Sequence, residues 1–225
     1  MRPFAWSFSA LDNWETCPKK YWEISIAKRV LDSTTEVGDW GKDAHKAIEL
    51  RILKKKPFPL GMRHFEPFVS RFIDAPGDTY AEQKIAITRE YRPTEYFGKD
   101  VWLRSQMDAG KHRGSKLAIV DWKFGKVTEK WPTQGLIMAA TVFAQMPEVQ
   151  DLTISFIWWK EMENGIPLIS IDRMSRDEFW VRWLPIVRRA QKMEMAWEEE
   201  SFPAKPNGLC KRFCPVKTCP HNGRG

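Results

Sequence analysis

No apolar run in the 225-residue chain approaches the roughly 20 residues that cross a bilayer, so no membrane span is expected. The opening Met1-Arg2-Pro3-Phe4-Ala5-Trp6 lacks the hydrophobic stretch of a signal peptide. The expected location is therefore cytoplasmic, meaning the host cytoplasm if the chain is phage-encoded. A Walker A sequence is missing, which excludes a helicase motor within the chain. Internal repeats and low-complexity tracts are missing too, so solenoids and linkers drop out. Cysteine is scarce: Cys17 stands alone near the start, while Cys210, Cys214 and Cys219 crowd into the C-terminal segment. In a reducing compartment that clustering argues for metal rather than disulfides.

What is present begins with charge. Lys and Arg number 36 against 29 Asp and Glu, a net +7 that suits a polyanionic partner. Each phosphate neutralised by Lys or Arg releases counterions. Twelve tryptophans are many for this length, but they serve cores and base stacking alike.

The pattern along the chain predicts helices, strands, a helix, strands and a last helix, which implies α/β with a mixed sheet. Phe8, Leu11 and Trp14 recur at a helical interval, with Ser9 and Asp12 resembling a capping box and Pro18 breaking the helix. A second helix is expected over Thr35–Lys54, with Val37, Trp40, Ala44, Ala47, Ile48 and Ile52 on its buried stripe. A third is expected over Arg63–Phe72. Alternation then predicts strands at Glu82–Thr88, Val101–Asp108 and Lys116–Lys123, with Gly98, Gly110 and Gly114 in the turns between them. A helix over Pro132–Gln145, strands at Leu152–Trp159 and Pro167–Ile171, and a helix over Ser175–Glu199 follow. One domain is expected: a helical part (7–78), a sheet core (79–174), and a C-terminal helix with a cysteine-bearing tail (175–225).

Asp121-Trp122-Lys123 closes the apolar run Leu117-Ala118-Ile119-Val120. Residues i and i+2 of a strand share a face, so Asp121 and Lys123 point together, away from Trp122. Asp108 ends the preceding predicted strand, so hairpin pairing brings two carboxylates near one another. Such a pair makes a hard oxygen site for Mg²⁺ or Mn²⁺, and an ammonium beside it can orient water and stabilise charge on a phosphate.

With these residues in view, the chain resembles the RecB-type branch of the PD-(D/E)XK nucleases, which includes phage and CRISPR-associated exonucleases. Ser7-x-Ser9-x-x-Asp12-x-Trp14-x-x-Cys17-Pro18-x-x-Tyr21 is similar to the branch's N-terminal Cys-Pro helix. Gly41-Lys42-Asp43-Ala44-His45 with Glu49 is similar to its G-x-x-x-H-x-x-x-E helix, and Asp108 with Asp121-x-Lys123 to its catalytic core. Gln134 stands where the branch carries Q-x-x-x-Y, although Met138 replaces the tyrosine and Ser105 a glycine that usually precedes the first aspartate.

The resemblance implies a restriction-endonuclease-like core and metal-dependent DNA exonuclease activity in phage or recombination and repair processing. It implies that Asp108 and Asp121 hold the metal, with the backbone carbonyl of Trp122 as a further ligand and His45 supplying an imidazole. Lys123 would activate the water, and Gln134 would orient substrate or lysine. Glu49 reads as a salt-bridging or structural carboxylate rather than a ligand. Glu82, on a strand beside the centre, reads as an exposed strand-end carboxylate ahead of the alternative that it approaches the metal. DNA is the expected partner, and processivity would have to come from recombination or replication proteins, a ring-like oligomer or a threaded DNA path. Two other readings stand beside this one: a non-catalytic nucleic-acid binder on the same fold, and a metal-stapled interaction module.

Cys17, Cys210, Cys214 and Cys219 match a [4Fe-4S] cluster or tetrahedral zinc, with the resemblance favouring iron–sulfur. His221 is an alternative zinc ligand. Either metal would form a lobe joining the two ends of the chain.

Overall fold

The computed structural model describes residues 3–31 and 36–223. Two short helices, α1 (Phe8–Thr16) and α2 (Pro18–Tyr21), run into a π-helical turn at Trp22–Ile26. Next come α3 (Glu36–Lys54), a 3₁₀ turn at Leu60–Phe65 and α4 (Glu66–Asp74). The strands are β1 (Asp78–Ile87), β2 (Pro93–Thr94), β3 (Leu103–Arg113), β4 (Lys116–Lys123), β5 (Asp151–Glu163) and β6 (Ile166–Ser175). Helix α5 (Trp131–Gln145) separates β4 from β5, and α6 (Arg176–Glu198) follows β6.

The six strands form one sheet in the order β2-β1-β3-β4-β5-β6. Only the β4–β5 pairing is parallel, because α5 carries the chain across between them; hairpins make the rest antiparallel. Two apolar layers cover the sheet. On one face α5, α6 and the N-terminal residues pack over Ile85, Leu103, Met107, Leu117, Ile119, Ile154 and Phe156. On the other, Ala44 and Ile48 of α3 and Val69 of α4 pack with Phe65 over Ala109, Trp122, Ile157 and Trp159. The α/β fold with a mixed sheet flanked by helices is as the sequence pattern predicts.

Local readings differ in instructive ways. Helix α1 is capped by Ser7, whose hydroxyl accepts from Ala10 N–H, and Ser9 lies inside the helix. Ala44, Ile48 and Ile52 are buried as expected, but Trp40 is exposed; the expected start at Thr35 and the Val37 side chain lie outside the described residues. The third helix begins later than expected, since Leu60–Phe65 winds as a 3₁₀ turn before Pro67 sets the first turn of α4. Gly110 is inside β3 rather than in a turn. A Cβ there would sit 2.8 Å from Met107 Sδ, so the glycine serves close packing. Gly77 enters β1 at φ +121°, and a Cβ there would meet the His112 carbonyl oxygen at 2.4 Å.

The junction between α5 and α6 rests on Arg176. Its guanidinium donates to the carbonyls of Phe143 (2.8 Å), Met146 (2.9 Å), Pro147 (3.2 Å) and Val149 (2.7 and 3.0 Å), and lies over the Phe143 ring. These carbonyls come from the last turns of α5 and the loop after it, where no intrahelical donors remain. A lysine keeps the charge but loses the planar fork. Arg176→Lys is expected to lower unfolding free energy by about 2 kcal/mol in urea titration. An unchanged midpoint would show that water serves those carbonyls equally well.

Candidate active site

The pairing of β3 with β4 runs from Arg113↔Lys116 to Ala109↔Val120 and stops there. Beyond that point the strands part, and the Trp122 N–H is taken by the Asp108 carboxylate (2.9 Å) instead of by a backbone carbonyl. Further along β3, the free edge is met by Trp6, which accepts from Arg104 N–H and donates to the Trp102 carbonyl, both at 2.9 Å. The split leaves a cleft of about 300 Å³ lined by residues including Ser7, His45, Tyr96, Arg104, Asp108, Asp121, Lys123 and Gln134. Asp108 thus sits inside β3, not at its end as the sequence suggested.

Asp121 and Lys123 project to the α5 side, as their i, i+2 spacing dictates, while Trp122 packs against α3 and α4. Asp121 is buried. Its Oδ2 accepts from Gln134 Nε2 (2.8 Å), and Gln134 Oε1 accepts from Lys123 Nζ (2.8 Å). Lys123 Nζ stands 2.7 Å from Asp121 Oδ1, an ion pair without hydrogen-bond alignment, so that buried oxygen has no hydrogen-bond partner. The three side chains close a ring in which Gln134 holds the ammonium beside the carboxylate.

Across the split, His45 Nδ1 from α3 lies 3.4 Å from Asp108 Oδ2 and 4.0 Å from Glu82 Oε1. His45, Glu82 and Asp108 are the one group among the described residues whose ligand atoms all fall within 4.8 Å of one another. For Glu82 the less favoured of the two sequence readings is the one the geometry matches. Strand β1 begins at Asp78, so Glu82 lies within the strand, facing Asp108 between the pairs Ala81↔Ala109 and Gln83↔Met107. Its φ of +50° is a left-handed conformation rare for a non-glycine residue.

Both strands change faces at this point. Met107 and Ala109 are two apart yet pack in opposite layers, as do Ala81 and Ile85. Matching breaks in both strands keep the register while turning two carboxylates out of the regular alternation. Strained backbone of this kind persists where surrounding structure holds it, and it clusters at functional sites. Glu49 stands outside the ligand group; it pairs with Lys46 at 2.5 Å.

The electrostatics follow from crowding. Burial, and then the neighbouring Asp121 charge, push the Asp108 carboxyl well above the usual carboxylate range. Burial also raises Glu82, against a hydrogen bond from Gln106 that lowers it. Burial pulls His45 down and keeps its imidazole neutral, as a metal ligand requires. Buried Asp121 and half-buried Asp108 and Glu82 crowd one cleft, which is unfavourable without a cation. The donor set fits a hard divalent ion: carboxylate oxygens, one of them without a hydrogen bond, and an imidazole nitrogen.

Ser105 and Met138, the two departures from the branch's pattern, share the opposite wall of the cleft. Thr141 Oγ1 donates to the Met138 carbonyl (2.8 Å) and lies 2.5 Å from Ser105 Oγ. The threonine's single hydroxyl proton is committed, so Ser105 donates to it. The serine thus ties β3 to the turn of α5 that carries Met138.

At the opposite end of α1 from this cleft, Cys17, Cys210, Cys214 and Cys219 line one small cavity together with Lys19, Lys205 and His221. Backbone N–H groups of Lys205 and Asn207 point at Cys17 Sγ (3.5 Å) and Cys210 Sγ (3.4 Å). Asn207 Nδ2 donates to the Thr16 carbonyl (3.0 Å) and Lys205 Nζ to that of Glu15 (2.6 Å), which seats the tail on the end of α1. No three of the four sulfurs come within 4.8 Å of one another. Bond lengths near 2.3 Å would bring thiolates on one tetrahedral zinc to roughly 3.8 Å apart.

No protein-family profile matches the sequence, and neither does any curated protein. Among solved structures, the crystal structure of a "Putative exonuclease" from Eubacterium rectale matches over 92% of this chain and 85% of that one, with a TM-score of 0.52 at 15% identity. That likeness is one of fold alone: an α/β architecture shared at low identity. A second structure, of SSO0001, covers 99% of this chain and 88% of that one at 15% identity, but its TM-score of 0.46 is too low to bear on the fold. Among the described residues, no helix is long and apolar enough to cross a membrane.

Proposed function

We propose that this chain is a Mg²⁺- or Mn²⁺-dependent deoxyribonuclease of the RecB-type PD-(D/E)XK branch, acting as an exonuclease in phage or recombination and repair processing. The observation that carries the reading is the convergence of Asp108, Asp121 and Lys123 at the split between β3 and β4, with His45 and Glu82 closing the opposite side. The exonuclease name of the Eubacterium rectale structure agrees with it.

Asp108 and Asp121 would hold the divalent ion, with His45 and the Trp122 carbonyl completing the set that the resemblance implies. Glu82 joins them on geometry alone. Such an ion supplies Lewis-acid neutralisation of charge on the scissile phosphate. The chain's own groups do the rest. Lys123 directs its ammonium to the place beside Asp121 where the attacking water must lie, and offsets negative charge as the phosphorus becomes five-coordinate. Gln134 fixes that ammonium, bonding lysine and aspartate at once. His45 stays neutral beside Asp108 and so presents a lone pair rather than a proton. The basic excess of the chain draws the polyanion in.

The four-thiol cavity would bind a [4Fe-4S] cluster. All four cysteines line that one cavity, as a shared ligand set requires, and the resemblance favours iron–sulfur over zinc. The cluster's role is structural, since the cavity shares no lining residue with the cleft.

The decisive experiment incubates end-labelled single- and double-stranded oligonucleotides with purified protein in Mg²⁺, in Mn²⁺ and in EDTA. Degradation is expected with either ion and none with EDTA. The ions should also raise the thermal midpoint, because they relieve the repulsion between Asp108 and Asp121. DNA left intact with both ions would overturn the enzyme and leave a nucleic-acid-binding protein on the same fold.

A further inference from the structure

The loop between β2 and β3 carries an aromatic pair beside the cleft, half-buried Tyr96 in its lining and exposed Phe97 next to it. Tyr96 and Phe97 occupy the two central positions of a turn closed by Gly98 N–H on the Glu95 carbonyl (2.8 Å). Phe97 is 79% exposed, and its ring meets that of Tyr96 edge-on at 5.0 Å. The turn is built, not loose. Arg104 Nε donates to the Tyr96 carbonyl (2.6 Å), and Thr94 Oγ1 donates to Asp100 (2.6 Å) across its base. A Cβ at Gly98 would approach Thr94, Glu95 and Asp100 to about 3.0 Å, so the turn closes tightly on itself.

Two cations flank the rings. Lys84 Nζ lies 5.6 Å from the Tyr96 centroid and 5.7 Å from that of Phe97, and the Arg104 guanidinium 5.7 and 6.0 Å from the same two. Neither cation enters a salt bridge among the described residues. Tyr96 and Arg104 also line the cleft that holds Asp108 and Asp121. A solvent-facing phenyl ring on a hydrogen-bonded turn, with two cations outside any close salt bridge beside it and a carboxylate cleft behind it, leaves most of its surface uncovered by its own chain.

We propose that Tyr96 and Phe97 form a stacking platform for the unpaired end of a nucleic-acid strand, with Lys84 and Arg104 contacting its phosphates. This rests on the nuclease reading above and specifies its substrate as a single-stranded or frayed end. The chemistry selects that form. Bases inside a duplex have both faces stacked already, and a blunt end offers only the outer face of a pair held flat by its partner, whereas an unpaired base can turn its face onto a ring. Phosphate contacts by Lys84 and Arg104 would feed the strand toward the carboxylates.

Binding measured without metal tests this apart from cutting. The probes are a fluorescent oligothymidylate of about a dozen nucleotides and a blunt-ended hairpin, followed by anisotropy in EDTA. Phe97→Ala should weaken oligothymidylate binding about tenfold, the effect of one lost base–aromatic stack, and leave the hairpin unaffected. Phe97→Trp should keep the affinity. Lys84→Gln should reduce the slope of log affinity against log salt by about 0.7, as for one single-strand phosphate contact. Phe97 is exposed, so an unchanged thermal midpoint will show that the alanine variant is folded. Equal single-strand binding by Phe97→Ala and wild type overturns the platform and leaves the nuclease reading standing. Equal losses on both probes overturn it too, since the ring then reads no unpaired base. A protein that binds through Phe97 but cuts nothing sinks the nuclease and keeps the platform. Wild type that binds neither probe sinks both.

Discussion

Asp121→Ala is expected to slow phosphodiester cleavage by about a thousandfold or more, close to 4 kcal/mol of transition-state stabilisation, while DNA binding persists. Two losses combine in that one carboxylate. Its oxygens would hold the ion that neutralises the phosphate, and they also anchor Lys123 at 2.7 Å and Gln134 at 2.8 Å. Without Asp121 the lysine and glutamine keep their mutual bond but lose the buried anion that fixes both in the cleft. Asp121 takes no part in the sheet's hydrogen-bond ladder through its side chain, and an alanine fits a strand flanked by Val120 and Trp122. Folding should therefore survive, and removing a crowded charge should, if anything, raise the stability of the metal-free protein. Single-turnover rates on end-labelled DNA, with binding followed separately in EDTA, give the measurement. A variant that cuts within a few-fold of wild type would take the metal away from this carboxylate and end the proposed chemistry.

Cys17→Ser is expected to remove the visible absorption of the anaerobically purified protein and to lower stability by about 5 kcal/mol. That is the order set by closing so long a loop between Cys17 and the C-terminal cysteines. The tail after α6 consists of short turns with little apolar burial beyond Val216 and Cys210, so it has no core of its own. Apart from the thiols, polar contacts such as Asn207 to the Thr16 carbonyl and Lys205 to that of Glu15 hold it to α1. Limited proteolysis should cut this tail first in the variant, with the sheet left intact. Helix α1 should loosen as well, although Arg189 still grips Glu15 with two 2.7 Å bonds. Metal analysis distinguishes the occupants: about four irons per chain supports the cluster, and one zinc replaces it with a single-ion staple. Wild type with no metal at all and an unchanged tail would remove the staple entirely.

The predictable parts of this protein are those governed by near neighbours in sequence. Alternation over Lys116–Lys123 gives the bounds of β4 and places Asp121 with Lys123 on one face, because a strand's side chains repeat every two residues. Asn164 and Gly165, both at positive φ, turn β5 into β6 as an Asn-Gly pair does in many hairpins. Ser175 and Glu178 cap α6 reciprocally. The four cysteines, clustered in sequence apart from Cys17, share a cavity formed by segments from opposite ends of the chain.

Other features depend on partners far away in sequence. Glu82 looks like an ordinary strand residue until β3 is laid beside it, since its left-handed backbone and its place near His45 go with a position opposite Asp108, between the pairs Ala81↔Ala109 and Gln83↔Met107. Gly110 looks like a turn glycine until Met107 and Leu117 fill the space where a side chain would be. The platform of Tyr96 and Phe97 gains meaning only from Lys84 and Arg104 on neighbouring strands and from the cleft behind it. Local periodicity thus determined the elements, the mixed sheet and the aspartate–lysine pair, because each depends on backbone repeat and nearby side chains. The parting of β3 from β4 and the matched breaks at Glu82 and Asp108 were decided by tertiary packing, as was the arrival of His45 and Gln134 from opposite sides of the sheet. These place side chains of distant segments within a few ångströms, a constraint that no local stretch of sequence contains.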